Sequence, residues 1–495
     1  MSLHPKPFFD ASYNSVHTIF FLFFIFATSA ACQDIQVTIE VYSERPSVAK
    51  ISGRFLKAEF AFKNRNLSLL RSYLGFDGLG ERISDVELKD ENDREVAFLT
   101  SAFGEYVAET PFTDWSYSVD LTPRKEQNAA AHLSWLTNDS GVLMLGDLLP
   151  KIGARDSRIS VKSKLSLPQG WRAFSELSQD NLFESDDMDA GVIYVGRGLT
   201  IWPISTGNAR LNFVRNGTWL FTDEELSNSA REIYSAYSNI FASDSTNDVQ
   251  IAILKFPVAT SHGVWQAETR GRNITIISSD MPFKTQSVQR LHEQLRHEIF
   301  HLWIPNGVNL SGNYDWFYEG FALYASLKMA VAMNRIRFED FLDTLSRAQA
   351  IDARQSNRFS LIEASSKRRS GADTYIYARG MATAFLCDIL LLDKSKGKRS
   401  VNDVLREFYK LHKYPKRRID GNDAALEILR KNFEIRSIVE KYVNGSGVIE
   451  WRAETALAGL DSTNGLTVLP KLNGRQKEML DRLGYNNWRR LSQSK

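Results

Sequence analysis

The stretch "RHEIFHLW" (residues 296–303) constrains this chain more than any other. Two histidines, His297 and His301, stand four apart, with Glu298 directly after the first. On a helix, positions i and i+4 share one face, with Cβ atoms about 5–6 Å apart. Two imidazoles so placed can converge on one zinc ion at about 2.0–2.1 Å each. Glu298 leans toward the same face without coinciding with either ligand. That is where a general base must stand to take a proton from an attacking water. A buried helix with two satisfied histidines would show the same letters. The chain has only eight histidines, so the pattern arises by chance on the order of one time in a hundred. Ile299 and Phe300 give the other side of the helix something to pack into a core.

The flanking sequence supplies the rest of a site. "SVQRLHEQLRHEIFHLWI" (287–304) has helical spacing and ends at Pro305, which disfavours helical geometry in the residue before it. Residues 305–314 read as a polar turn, and "DWFYEGFALYASLKMAVAMN" starts a second helix at Asp315. A catalytic zinc needs a third protein ligand and one open position. Glu319, one turn into the second helix, is the candidate, because a short turn between packed helices returns its carboxylate over the histidines. His292 is an alternative by residue type, but it lies five residues before His297, on another face, and reads as a surface side chain. A structural zinc site fits poorly. Such sites are normally closed by four Cys or His, and the cysteines are only Cys32 and Cys387.

Around this centre the chain reads as a multidomain α+β protein. Residues 32–175 are β-rich: "IQVTIEVY", "RFLKAEFAF", "REVAFLTSAF" and "RISVKSKLSLPQGW" carry strand patterns, and predict an antiparallel sandwich or saddle. Residues 176–345 mix strands ("VQIAILKF", "RNITIISS") with helices. One of these, "DEELSNSAREIYSAYSNIFA", has Asp223 as its predicted cap. Residues 346–460 are mainly helical: "AFLCDILLLD", "VNDVLREFYKLH" and "AALEILRKNF". Residues 461–495 form a tail with no clear element beyond a short terminal helix. No repeat or low-complexity linker is visible. With 495 residues and 43% hydrophobic content, this is ordinary globular material for two to four domains. A net charge of +2 gives no push toward nucleic acid. The basic clusters Lys367-Arg368-Arg369 and Lys416-Arg417-Arg418 read as solvated faces.

The N-terminus carries "TIFFLFFIFATSAACQD" (18–34), an apolar run shorter than the ~20 residues that span a bilayer. It reads as a secretory leader over residues 1–31, cleaved near Ala31, for an exported protein. Lys6 is the only Lys or Arg before the run, which keeps an uncleaved anchor open. "SAAC" loosely resembles a lipoprotein cleavage site, with Ser29 where an aliphatic residue is usual. Membrane attachment through lipidated Cys32 is therefore a second option. No disulfide framework is available once the leader is removed, and Cys387 reads as a small core residue.

H-E-x-x-H followed by W-x-x-E-G-F on the next helix resembles the gluzincin zinc metallopeptidases. It is similar to the glycyl aminopeptidase family and the related aminopeptidase N and leukotriene hydrolase group. Trp303, two residues after His301, suits the glycyl aminopeptidase pattern. Seventeen residues (302–318) separate His301 from Glu319, one fewer than the aminopeptidase N group usually has. The resemblance runs over about residues 35–455 and implies a thermolysin-like α+β catalytic domain between the β domain and the helical one. It implies Zn²⁺ on His297, His301 and Glu319, with Glu298 as base. It also places Tyr377, in "YIYARG", where the family's tyrosine faces the tetrahedral intermediate, with Arg379 where Lys is usual and Tyr375 as the runner-up. Before the zinc helix, Glu268 in "VWQAETRG" falls where family members grip a substrate's free amine. Trp265-Gln266-Ala267 replace the usual small residues there. The relatives' PDZ module has no counterpart. The expected activity is peptide hydrolysis, as an aminopeptidase. An endopeptidase, or a binding protein that has lost catalysis, are the alternatives; in the latter, decay usually strikes ligands or base, and all four of these residues are present.

Six N-x-S/T sequons occur, at Asn66, Asn138, Asn216, Asn273, Asn309 and Asn444. Asn273 is expected on the substrate-pairing edge and Asn309 on the loop between the zinc helices. Glycans at those places would hinder the site, which favours a bacterial protein exported to the periplasm or cell surface.

Overall fold

The alternation in "IQVTIEVY" becomes the strand Ile35–Tyr42, with Ile35, Val37, Ile39 and Val41 buried on one face. The computed structural model describes residues 33–487, apart from 43, 58–64, 153–157, 176, 177, 180, 245–247, 369 and 370. The leader, Cys32 and the middle of "RFLKAEFAF" therefore lie outside the described residues. Ile35–Tyr42 is central in a seven-stranded sheet. Its partner Arg45–Phe55 is antiparallel, whereas Val161–Ser166 runs parallel to it, the one parallel pairing in this sheet among the described strands. A second sheet joins Trp135–Leu136, Ser140–Met144, Arg172–Phe174 and Val192–Gly196. Val192–Gly196 pairs back onto Ser140–Met144, so this sheet joins strands from both sides of position 175.

A mixed five-stranded sheet follows, in the order Thr200–Thr206, Ala209–Arg215, Asp248–Lys255, Asn273–Ser278, Trp265–Arg270. The three inner strands are parallel and both outer ones antiparallel to their neighbours. Asn273–Ser278 is buried at every position, as an inner strand must be. Trp265–Arg270 is the edge strand. The helix Asp223–Phe241 is capped by Thr222 in a reciprocal box with Glu225, one residue before the expected cap. Asp223 instead pairs with Arg215 at 2.6 Å.

Three helices bring the candidate site residues together. The histidine helix, Lys284–Phe300, buries Leu291, Leu295 and Ile299 along one stripe. It stops at Phe300, short of Pro305, because the last turn tightens: the amides of His301, Leu302 and Trp303 bond three residues back instead of four. The fully buried Trp303 stacks on Phe241 at 5.3 Å and donates its indole N–H to Ser243, which anchors that end. The glutamate helix, Asp315–Ala332, starts with the Trp316 amide held by Ser365 Oγ and the Trp316 indole by Asn422. The tyrosine helix is Asp373–Lys394. It is long and apolar enough to cross a membrane, but 94% of its apolar window is buried inside the protein, so it is a core helix, and Cys387 sits within it. The glutamate and tyrosine helices touch at Gly320 and Gly380: a Cβ on Gly320 would lie 2.5 Å from the Gly380 Cα. That approach brings Glu319 and Tyr377 to one place. The tail is more ordered than expected, with a small hairpin at Leu460–Asp461 and Thr467–Val468 and a helix, Gly474–Leu483, that buries Met479, Leu480 and Leu483.

Candidate metal centre

The tightened end of the histidine helix turns His301 beside His297. Their Nε2 atoms lie 3.2 Å apart. Glu319 Oε2 lies 3.3 Å from His297 Nε2 and 3.4 Å from His301 Nε2. A tetrahedral zinc with bonds of about 2.0–2.1 Å separates its ligands by roughly 3.3–3.4 Å. The three donors therefore match one triangular face of such a tetrahedron, which leaves the fourth direction open. Glu319 Oε2 is buried and has no hydrogen-bond partner among the described residues. His301 Nδ1 is 3.0 Å from the Ile304 carbonyl; donating its proton there leaves the Nε2 lone pair bare. Two imidazole nitrogens and a carboxylate oxygen converging on one point suit a bound cation. These residues fit a zinc ion, and His297, His301 and Glu319 would hold it. His292 is not among them. It is buried rather than at the surface, on the other side of the helix, where its Nδ1 meets Arg296.

Charges around the triad tune it. Burial opposes ionisation of Glu319, but Arg368 and the histidines prevail and hold its pKa well below the usual carboxylate range. Burial likewise disfavours charge on His301, yet the Glu319 carboxylate raises its pKa. Arg368 was expected on a solvated face and instead reaches inside. It sits 3.1 Å from Glu319 Oε1, 2.6 Å from Asp315, 2.9 Å from Asp373, and donates to the Tyr377 hydroxyl oxygen at 2.9 Å. Lys416, Arg417 and Arg418 are exposed, as a solvated cluster would be.

Glu298 is buried, and the Thr269 hydroxyl donates to its Oε2 at 2.7 Å. Thr269 comes from the edge strand. Asn306 ties that strand to the end of the histidine helix, bonding the carbonyls of Thr269 and His301 and the Gly271 amide. The Tyr377 ring centroid lies 6.4 Å from that of His297. Burial, then Glu319, pushes its hydroxyl pKa well up, so it stays a proton donor. Tyr375 faces elsewhere, its hydroxyl bonding the Phe359 carbonyl at 2.9 Å. Arg379 is fully buried, paired with Asp352 and bonded to the carbonyls of Tyr442, Gly445 and Gly447, so it braces the helical region.

Glu268 is neither exposed nor in a loop. On the edge strand, its Oε1 accepts from Tyr73 at 2.7 Å and its Oε2 meets Arg270 at 2.9 Å and His132 at 3.1 Å. Burial opposes its ionisation, but Arg270 and His132 win and lower its pKa to about 2, from 4.5. A depressed folded-state pKa contributes stability that is present above about pH 4.5 and lost as pH falls toward 2. A Glu268→Gln variant is therefore expected to melt lower than wild type at pH 5–7, by at most about 3 kcal/mol at about 1.4 kcal/mol per pKa unit. The gap should shrink as pH falls below about 4.5 and close only below about pH 2. Calorimetric melts across that range check it; a gap independent of pH would mean the carboxylate's charge is not what matters. Of the sequon residues at the site, Asn273 is buried on the inner strand, with its amide bonded to the Ala190 carbonyl, and not on the edge. Asn309 donates to the Lys416 carbonyl.

No family profile and no curated protein matches the sequence. Solved structures do match. An aminopeptidase N family protein from Idiomarina loihiensis aligns with a TM-score of 0.71 at 14% identity, over 89% of this chain and 82% of that one. An M1 zinc metallopeptidase variant from Deinococcus radiodurans, bound to a Tyr-Ser-Ala substrate, aligns at 0.57 and 15% identity, over 85% and 95%. A two-domain M1 zinc metallopeptidase variant bound to L-arginine aligns at 0.54 and 14% identity, over 85% and 95%. The chain has the multidomain α+β fold of the aminopeptidase N and M1 zinc metallopeptidase group.

Proposed function

We propose that this protein is a zinc-dependent peptide hydrolase. The observation that carries the reading is the triad itself: three donor atoms at tetrahedral spacing, with a buried carboxylate from the same helical turn as two of them. Zinc bound there supplies Lewis acidity toward a water and a peptide carbonyl. Glu298, oriented by Thr269, takes the proton from the attacking water and passes it to the leaving amine. Tyr377 donates to the carbonyl oxygen as negative charge grows on it. Arg368 fills an acceptor position of that hydroxyl and leaves it a proton to donate, which Glu319 accepts in the structure and a substrate oxygen would take in its place. The edge strand Trp265–Arg270 is paired on one side only among the described strands, and an extended peptide can add to its other side.

Two placements of the scissile bond suit this machinery. Removal of N-terminal residues, with Glu268 on the free amine, is favoured by the neighbours' names and by the peptide and amino acid they hold. Cleavage within a chain is favoured by the surroundings of Glu268. An exported location remains our proposal from the leader. The test is metal dependence: a chelator is expected to abolish hydrolysis of a quenched-peptide library, and one equivalent of zinc to restore it. Full activity in the chelated, zinc-free protein would sink the reading.

A further inference from the structure

A carboxylate that is to hold a substrate's ammonium needs free acceptor positions, uncompensated negative charge and a route to both. Glu268 offers little of this. Tyr73 donates to Oε1; His132 Nδ1, Arg270 Nε and Arg270 Nη2 all lie within 3.1 Å of Oε2. An ionised carboxylate has about four acceptor positions, and four donors crowd these two oxygens.

The charge is also spent. Arg270 is always protonated and cancels Glu268, so an arriving ammonium would meet a corner without net negative charge. Nor is Arg270 a mobile surface cation. Its Nη2 donates to the His132 carbonyl at 2.8 Å, its guanidinium lies 5.0 Å from the Tyr73 ring centroid, and its side chain is 10% exposed. Tyr73 and His132 come from the β-rich half, so the cluster also seams that half to the catalytic sheet. Displacing Arg270 would strip three interactions from a nearly buried charge, a cost that one substrate ammonium does not offset.

The cluster sits one residue along the edge strand from Thr269, which holds Glu298. Glu268 is also the residue that the aminopeptidase reading puts on a substrate's free amine. We infer that Arg270 takes the place of a substrate's amine at Glu268, and that the site accepts peptides whose nitrogen there is already acylated: internal bonds, or N-terminally blocked chains. This rests on the peptidase reading and specifies its substrate class.

The test uses zinc-loaded full-length protein and matched internally quenched peptides, identical except for a free or an acetylated N-terminus. The cut is located by mass spectrometry. The inference expects kcat/KM for the acetylated peptide within about threefold of the free one, with cleavage inside the chain. It also expects Arg270→Met, which releases Glu268, to shift the ratio toward the free amine by about tenfold or more. Hydrolysis confined to the free-amine peptide in wild type overturns the inference and leaves the peptidase reading standing. Cleavage of neither peptide, with zinc bound, overturns the peptidase reading and this inference with it.

Discussion

Replacing Glu298 with Gln is expected to lower kcat by about 10²–10⁴-fold while zinc stays bound at one equivalent. The substitution keeps shape and hydrogen-bonding capacity, so the Thr269 contact at 2.7 Å has a partner in the variant. It removes only the ability to take a proton. Glu298 is not one of the three converging donors, so metal content should not change. KM should move little, because a proton-transfer role acts on the transition state and not on ground-state binding. Zinc analysis of the purified variant, beside steady-state kinetics on a quenched peptide, checks all three points. A variant that keeps a tenth or more of wild-type kcat would remove Glu298 from the reaction. One that loses zinc would make it part of the metal site.

What was legible in the sequence was what is local. His297, Glu298 and His301 share one helical turn, so spacing alone places them on a face. Glu319 follows by a short turn, and the structure brings its Oε2 to the two Nε2 atoms. Tyr377 lay in a tyrosine-rich helix start, and no spacing rule separated it from Tyr375; the separation comes from packing at Gly320 and Gly380, which turns one face of that helix toward Glu319. The glycine in "EGF" and the one in "ARG" were the available signal for that close approach. Glu268 was placed near the site, but its meaning depends on Tyr73 and His132, which are 195 and 136 residues away in sequence. No window reveals such partners. The pairing of Val192–Gly196 was hidden for the same reason: it has the pattern of any buried strand, and nothing local points to its partner Ser140–Met144.

Arg368 was the least legible residue of the site, one of three consecutive basic side chains, and its removal carries the second large prediction. In Arg368→Met the carboxylates of Asp315, Glu319 and Asp373 lose the cation they share, and the Tyr377 hydroxyl loses its donor. Partners that orient a metal ligand are typically worth about 10–100-fold in metal affinity, so zinc should bind about that much more weakly, measured by competition with a chromophoric chelator. At saturating zinc, kcat should still fall, because Tyr377 is no longer fixed where charge develops on the carbonyl oxygen. Arg368→Lys separates charge from geometry. An ammonium restores the positive field but cannot reach Asp315, Asp373, Glu319 and Tyr377 together as a guanidinium does. Lys is therefore expected to recover much of the zinc affinity, which depends on charge near Glu319, and little of kcat, which depends on where the hydroxyl is held. If Met and Lys were equally impaired in both, Arg368 would be a brace for the fold. Wild-type zinc affinity in the Met variant would mean that Glu319 is positioned by its helix alone, through the Gly320–Gly380 contact.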